Sequence, residues 1–276
     1  MIMIEKRRLM NTIMTSLTAL CAFAVVGVLV LILGYISFQG LSSLSWQFLV
    51  QTPKPVGEGG GIGNAIVGSL TLLGLASLVG IPLGIAIGTY LAELGSGWFG
   101  TIVRFVADAM IGIPSIVFGV FVYALVVLQQ GYFSTLAGSI ALALIMIPIV
   151  TRTTEEIVKL VPKSMREGAL ALGAPEWRVT WDIVLPAAKT GIATGAMLAV
   201  ARVLGETAPL LFTAFGSRFY NIYLDEPMAS MPVQIYNYAI SPFEEWHAKA
   251  WAATLVLITL ILVINIIVRY TTRKGY

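Results

Sequence analysis

The chain is poor in the residues that build soluble catalytic or metal centres. It holds one cysteine, Cys21, and one histidine, His247. A lone cysteine excludes an intrachain disulfide. One His and one Cys leave a zinc site of ordinary ligand type without enough donors. Charge is scarce too: Asp, Glu, Lys and Arg make up 11% of the 276 residues, less than half the roughly 25% of soluble domains. Apolar residues fill the gap, at 58%, and the mean hydropathy is +0.89. These values point to a lipid bilayer rather than water as the solvent.

A bilayer core takes roughly 20 mostly apolar residues per helix. Six stretches qualify: 14–37, 65–92, 103–128, 135–150, 189–215 and 249–269, the fourth being short. The first follows Glu5-Lys6-Arg7-Arg8. It is too long for a signal-peptide core and has no small-residue cleavage site after it, so it is expected to remain as a helix. With the N-terminus inside, 13 of the 17 Lys and Arg face one side, from Lys6, Arg7 and Arg8 through Arg104, Arg152 and the 159–189 stretch to Arg269, Arg273 and Lys274. Three, Lys54, Arg218 and Lys249, face the other, and Arg202 lies within a span. This bias predicts that both termini are cytosolic. Tyr220, Tyr223, Trp246 and Trp251 fall where an outer aromatic belt belongs.

Two outer loops are long, 38–64 and 216–248. The first contains GEGGGIGN, Gly57 to Asn64. It lacks the Lys-Ser/Thr ending and the preceding strand of a phosphate-cradling loop, and reads instead as a flexible lead into the second span. No other nucleotide-binding pattern occurs, so this chain is not expected to carry ATPase activity.

The segment 151–188 is too polar to span and too patterned for a linker. Glu155 to Leu160 reads as a turn or two of helix, stopped by Pro162. Ser164 has the spacing to Glu167 of a capping box at a second helix, which Gly173 ends. Pro175 starts a third, with Trp177, Val179, Trp181 and Ile183 as its apolar positions, and Pro186 closes it. A pair of short helices at the cytosolic face has the shape of a docking surface. EGALALG followed by IVLP resembles the coupling loop of ABC importer permeases, with Glu167, Gly168, Ala169, Gly173, Ile183, Leu185 and Pro186 at the matching spacing. Gly168 departs from the family's alanine. The resemblance implies an all-α membrane protein of the type I importer permease fold, whose loop enters a groove on a separate ATPase.

GIPSIVFG (Gly112 to Gly119), IPIVTRTTEE (Ile147 to Glu156) and ARVLGETAPLLFTA (Ala201 to Ala214) carry the likeness further. They look like the phosphate-specific permeases of the PstA type. That resemblance implies half of a translocation pathway for inorganic phosphate in a prokaryotic plasma membrane. The implied partners are a sister permease of the PstC type, two ATPase subunits holding ATP and Mg, and an extracytoplasmic phosphate-binding protein; no nucleic acid is implied. The expected division is 1–63 as a helix with outer loop, 64–270 as the permease domain and 271–276 as a cytosolic tail. Rival readings are an importer for phosphonate, sulfate or molybdate, a stand-alone secondary transporter or channel, and a structural or sensory partner.

Within VARVLGETAPLLF, Arg202 lies 13 residues after Lys189, roughly 20 Å along a helix and near mid-bilayer. A charge there costs at least about 2.5–3.5 kcal/mol on insertion scales. Glu206, four residues on, shares its face, and Pro209 is expected to kink the helix. One reading is a neutralised pair that locks packing. The other, favoured by the resemblance, is an anion contact on the path: the guanidinium fork suits a tetrahedral oxyanion, and Glu206 accepts the hydrogen bond of protonated phosphate. Arg152 is a second path candidate, or an anchor through Glu155 or Glu156. Arg104 and Asp108 repeat the four-residue spacing and read as structural. Gly112 and Pro114 are expected to break the third helix, and Gly119 to allow close helix contact, with packing at a subunit interface as the first reading and lining the path as the second.

Overall fold

The computed structural model describes residues 2–273. Lys274 and the rest of the tail to 276, together with the side chains of Glu5 and Arg273, lie outside the described residues. All regular structure among the described residues is helical, apart from one isolated bridge between Pro53 and Gly60.

Helix α1 (Ile2–Leu41) is one long apolar rod with an exposed surface. It leans on the last helix near Gly40 and through an edge-on contact of Tyr35 with Trp251. Helix α2 (Trp46–Val50) is capped by Ser45, whose Oγ accepts from Phe48 N at 3.1 Å. Helix α3 (Gly63–Glu93) is a full span. Next come α4 (Trp98–Gly112) and α5 (Ser115–Val122), which continues through a π turn at 123–127 into α6 (Leu128–Gln130). The chain bends by 103° between α4 and the α5–α6 arm. Pro114 causes this: it drives Ile113 to the extended ψ of 132° and has no N–H to continue the ladder. The stretch 103–128 is therefore two arms, a broken span.

Helix α7 (Thr135–Lys159) starts at the Ser134 cap and runs nine residues beyond the apolar stretch 135–150. Residues 155–159 are thus the end of a span rather than a separate turn. Helix α8 (Lys163–Ala171) begins after Pro162, with Ser164 already in its first turn. The capping box anticipated at Ser164 is not formed, because Pro162 fixes the start two residues earlier. Gly173, at φ 82°, closes α8 with the two bonds of a Schellman motif, Gly173 N to Leu170 O and Ala174 N to Ala169 O.

Helix α9 (Glu176–Arg178) passes through a π turn at 179–184 directly into α10 (Leu185–Leu204). Pro186 therefore does not end the third short helix. It falls in the first turn after the widened segment, where its missing N–H breaks no α-helical bond. Helix α11 (Ala208–Leu211) follows a break at Gly205, and α12 (Met231–Ala239) and α13 (Glu244–Arg273) complete the chain.

Helix α7 is the spine, and two glycine ridges grip it. Gly80, Gly84 and Gly88 of α3 bring its backbone so close that an added Cβ would meet Met146 Cβ at 3.1 Å, Val150 Cβ at 2.6 Å and Thr151 O at 2.5 Å. From α10, Gly191 and Gly195 press on Ile157 and Thr153 in the same way. Small residues four apart are what helices need when both are already surrounded by apolar solvent, since association must come from contact rather than from the expulsion of water. The main core fills the space between: Leu72 and Ala76 of α3, Met146 and Val150 of α7, Ala199 and Val203 of α10. A second core joins Ile62, Met231, Tyr238, Ala252 and Ala253, tying α12 to α13.

The glycine run at 57–63 is built rather than slack. Gly57 N donates to Glu245 Oε2 at 2.8 Å, and Lys249 Nζ donates to Gly59 O at 2.6 Å and to Glu245 Oε1 at 2.7 Å. A Cβ at Gly61 would fall 2.1 Å from Phe48 O. The expectation of a flexible lead-in fails because these glycines serve close approach and positive φ, both needed to seat the loop on α13.

Candidate functional site

Helix α10 ends at Leu204, with Arg202 in its last turn. Gly205 N bonds back to Arg202 O, Glu206 N to Val203 O, and the chain restarts at Thr207 as α11. Pro209 therefore falls in the first turn of a new short helix, not inside a kinked long one. The expected kink is replaced by a full break four residues earlier, at the glycine. Two charged side chains flank this break. Arg202 Nε lies 3.7 Å from Glu206 Oε1, beyond a hydrogen bond, with the Arg side chain 45% exposed and the Glu side chain 14%. Such a pair is too loose to lock packing. A cation in the last turn of α10 also offsets the negative end of the helix dipole.

Gly119 holds α11 in place. An added Cβ there would lie 2.6 Å from Pro209 Cα, so α5 and α11 touch backbone to backbone. This close contact is within the chain; it was expected at a subunit interface. Around Gly112, by contrast, the space is open.

A second charge cluster centres on Glu155, which is completely buried. Arg104 Nε and Arg152 Nη1 each reach it at 2.5 Å, and Lys159 Nζ at 2.6 Å. Arg152 also meets Asp108 at 2.8 Å, joining α7 to α4. The Arg104–Asp108 pairing suggested by their spacing is not made. Arg104 instead donates to Leu91 O and Gly95 O, closing the end of α3. Arg152 is thus surrounded by carboxylates, whereas Arg202 faces one at a distance.

The loop helices pack on the end of this knot. Ala169, Val179 and Val184 are buried with Val158 and Val161, and Ile183 and Leu185 are half-buried against them. Glu167, Gly168 and Pro186 are exposed. Arg166 fastens α8 from below: its Nη2 donates to Glu93 at 2.8 Å and to Val158 O at 2.9 Å. Leu172, Trp177 and Trp181 are exposed apolar side chains of this loop, Leu172 being 91% exposed. Sequence reasoning missed the glycine ridges, the Arg166–Glu93 clamp and the convergence of Arg104 and Lys159 on Glu155, where only the Arg152 anchor was expected. Only the ridges had a readable signal, the spacing of four from Gly80 to Gly88. No three His, Cys, Asp or Glu side chains converge as a metal site among the described residues.

A long-helix bundle with a broken third span, a broken fifth span and a short-helix loop at one end is the architecture of an importer permease. Two solved structures share it: the permease of a bacterial alginate ABC importer (18% identity, TM-score 0.65, covering 97% of this chain and 99% of that one) and that of the methionine importer MetNI (17%, 0.62, 78% and 97%). Residues 80–274 match the family described as binding-protein-dependent transport system inner membrane component. Phosphate transport system permease proteins PstA of Yersinia pestis (48% identity, 86% of this chain and 81% of that one) and Pasteurella multocida (43%, 95% and 94%) are similar along most of their length. The chain belongs to this inner-membrane permease family and, within it, to the PstA permeases.

Proposed function

We infer that this chain is one of the two membrane subunits of an ATP-driven importer of inorganic phosphate. The observation that carries the reading is identity of 43–48% to PstA permeases over most of the chain. The Lys and Arg bias supports cytosolic termini, with the α8–α9 loop inside and α12 outside. Residues 1–63 then act as an anchor, since α1 packs along α13 at the edge of the bundle. Residues 64–270 form the moving domain, with coupling through 151–188, and 271–276 a short tail.

In this reading two ATPase subunits, holding ATP and Mg, receive the exposed side chains of Leu172, Trp177 and Trp181. Their closure moves α8, and Arg166 passes that motion to the ends of α3 and α7. A sister permease of the PstC type supplies the other half of the path, and a phosphate-binding protein delivers substrate outside. This chain forms and breaks no covalent bond. Its contribution is a weak contact: Arg202 offers its free fork to phosphate, while Glu206 accepts the proton-bearing oxygen's hydrogen bond and keeps the anion from being trapped. Sulfate has no such proton near neutral pH. Arg152, tied to Glu155 and Asp108, serves as an anchor between α4 and α7 in this scheme.

The test is ATP-dependent uptake of labelled phosphate into vesicles bearing the chain with its natural associates, with excess sulfate present. Uptake resistant to sulfate is expected. Failure to recover an ATPase partner, or equal competition by sulfate, overturns the reading.

A further inference from the structure

At the α12 end of the bundle a cavity of about 650 Å³ opens between the 53–56 loop, the 215–218 turn and α12. Its floor includes Leu211 of α11, the turn that follows Glu206. The cavity therefore reaches the short helix that follows the break at Gly205.

Its charge is of one sign. Lys54 and Arg218 line it, and no Asp or Glu does. Among the described residues, neither cation has a carboxylate within 4 Å. These are two of the three cations on this side. The third, Lys249, is bound to Glu245 and Gly59 O. Gln234 and Asn237 of α12 add amide groups to the lining.

The wall is held in shape. Phe215 has φ 60°, rare for a residue with a side chain. It is kept there by stacking on Phe133, with ring centroids 4.8 Å apart, and by its N–H bond to Leu210 O at 2.8 Å. This fixes the turn that leads to Arg218.

We propose that this cavity is an anion antechamber that holds inorganic phosphate between its arrival at the outer face and its contact with Arg202. The proposal rests on the reading of the chain as a phosphate permease. Two cations balance a charge of minus one to minus two. The Gln234 amide donates to the oxygens. Both cations are exposed and screened by salt, so binding is weak and reversible, as passage requires.

A phospholipid headgroup offers the same chemistry, and the experiment separates the two. The full transporter, in maltoside without added phospholipid, carries Cys21→Ser and Asn237→Cys. The rate at which an uncharged thiol reagent modifies Cys at position 237 is followed by the mass of this chain. Inorganic phosphate at millimolar level, against chloride of equal ionic strength, is expected to slow modification several-fold. With Lys54→Gln and Arg218→Gln added, that protection is expected to vanish. No slowing in the parent, equal slowing in the double variant, or slowing only when phospholipid is restored overturns the antechamber. ATP-driven uptake is measured beside it: uptake without protection removes the antechamber and leaves the transport reading, whereas absence of uptake removes the transport reading itself.

Discussion

Two charge clusters in this bundle use the same residue types and do opposite things. Around Glu155, three cations converge at 2.5–2.6 Å on a carboxylate with no exposed surface. At the α10–α11 break, one arginine stands 3.7 Å from one glutamate with nearly half its side chain exposed. The first is a knot whose hydrogen-bonding capacity is spent on the protein. The second retains unused donors. Burial and geometry, not residue identity, separate an ion pair whose donors are spent from one whose donors are free.

The largest effect is expected at the knot. Glu155→Gln leaves three cations around a neutral group, and breaking a buried pair from one side costs about 3–5 kcal/mol. Thermal unfolding in detergent is expected to show a large loss of stability and membrane extracts to hold less assembled transporter; a variant as stable as the parent would make the knot ornamental. Next comes Arg202→Gln. Loss of a charged hydrogen bond of about 1.5–3 kcal/mol predicts uptake lowered on the order of 10- to 100-fold, with thermal stability unchanged. A matching fall in stability would class Arg202 with Glu155.

Glu206→Gln sharpens the contrast further. Total phosphate uptake is expected to fall only a few-fold, roughly 1 kcal/mol or less, but excess sulfate should now compete; unchanged selectivity would remove Glu206 from recognition. The smallest effect is expected at Ser164→Ala. Because its side chain caps nothing, unfolding should shift by less than about 0.5 kcal/mol, and a cap-sized loss near 1 kcal/mol would show that the capping box forms.

The bundle was largely legible in the sequence because the bilayer demands long apolar runs, and each of the six stretches corresponds to a helix or a broken helix. Helix ends were less legible. The segment 155–159 reads as a separate turn or two of helix, yet α7 carries it without a break: Glu155 is neutralised by Arg152 and Lys159 of α7 itself and by Arg104 of α4. Pro186 looked like a stop, but a π turn just before it absorbs the missing donor. Pro209 looked like a kink, but Gly205 had already ended the helix. At the candidate site, Arg202 and Glu206 were visible as charges out of place. Their loose geometry was not, nor the contact of Gly119 with Pro209 that fixes it.

By itself the sequence determined that the chain lives in a bilayer, where its spans fall and which family its loop resembles, and its basic residues predict an orientation. Those properties are additive along the chain, set by transfer energies and local spacing. Only the tertiary structure decided which ion pairs are tight, where helices break and which cations stay unpaired. Electrostatics depends on distance and burial, and residues 51 positions apart, such as Arg104 and Glu155, become neighbours only once the helices have packed.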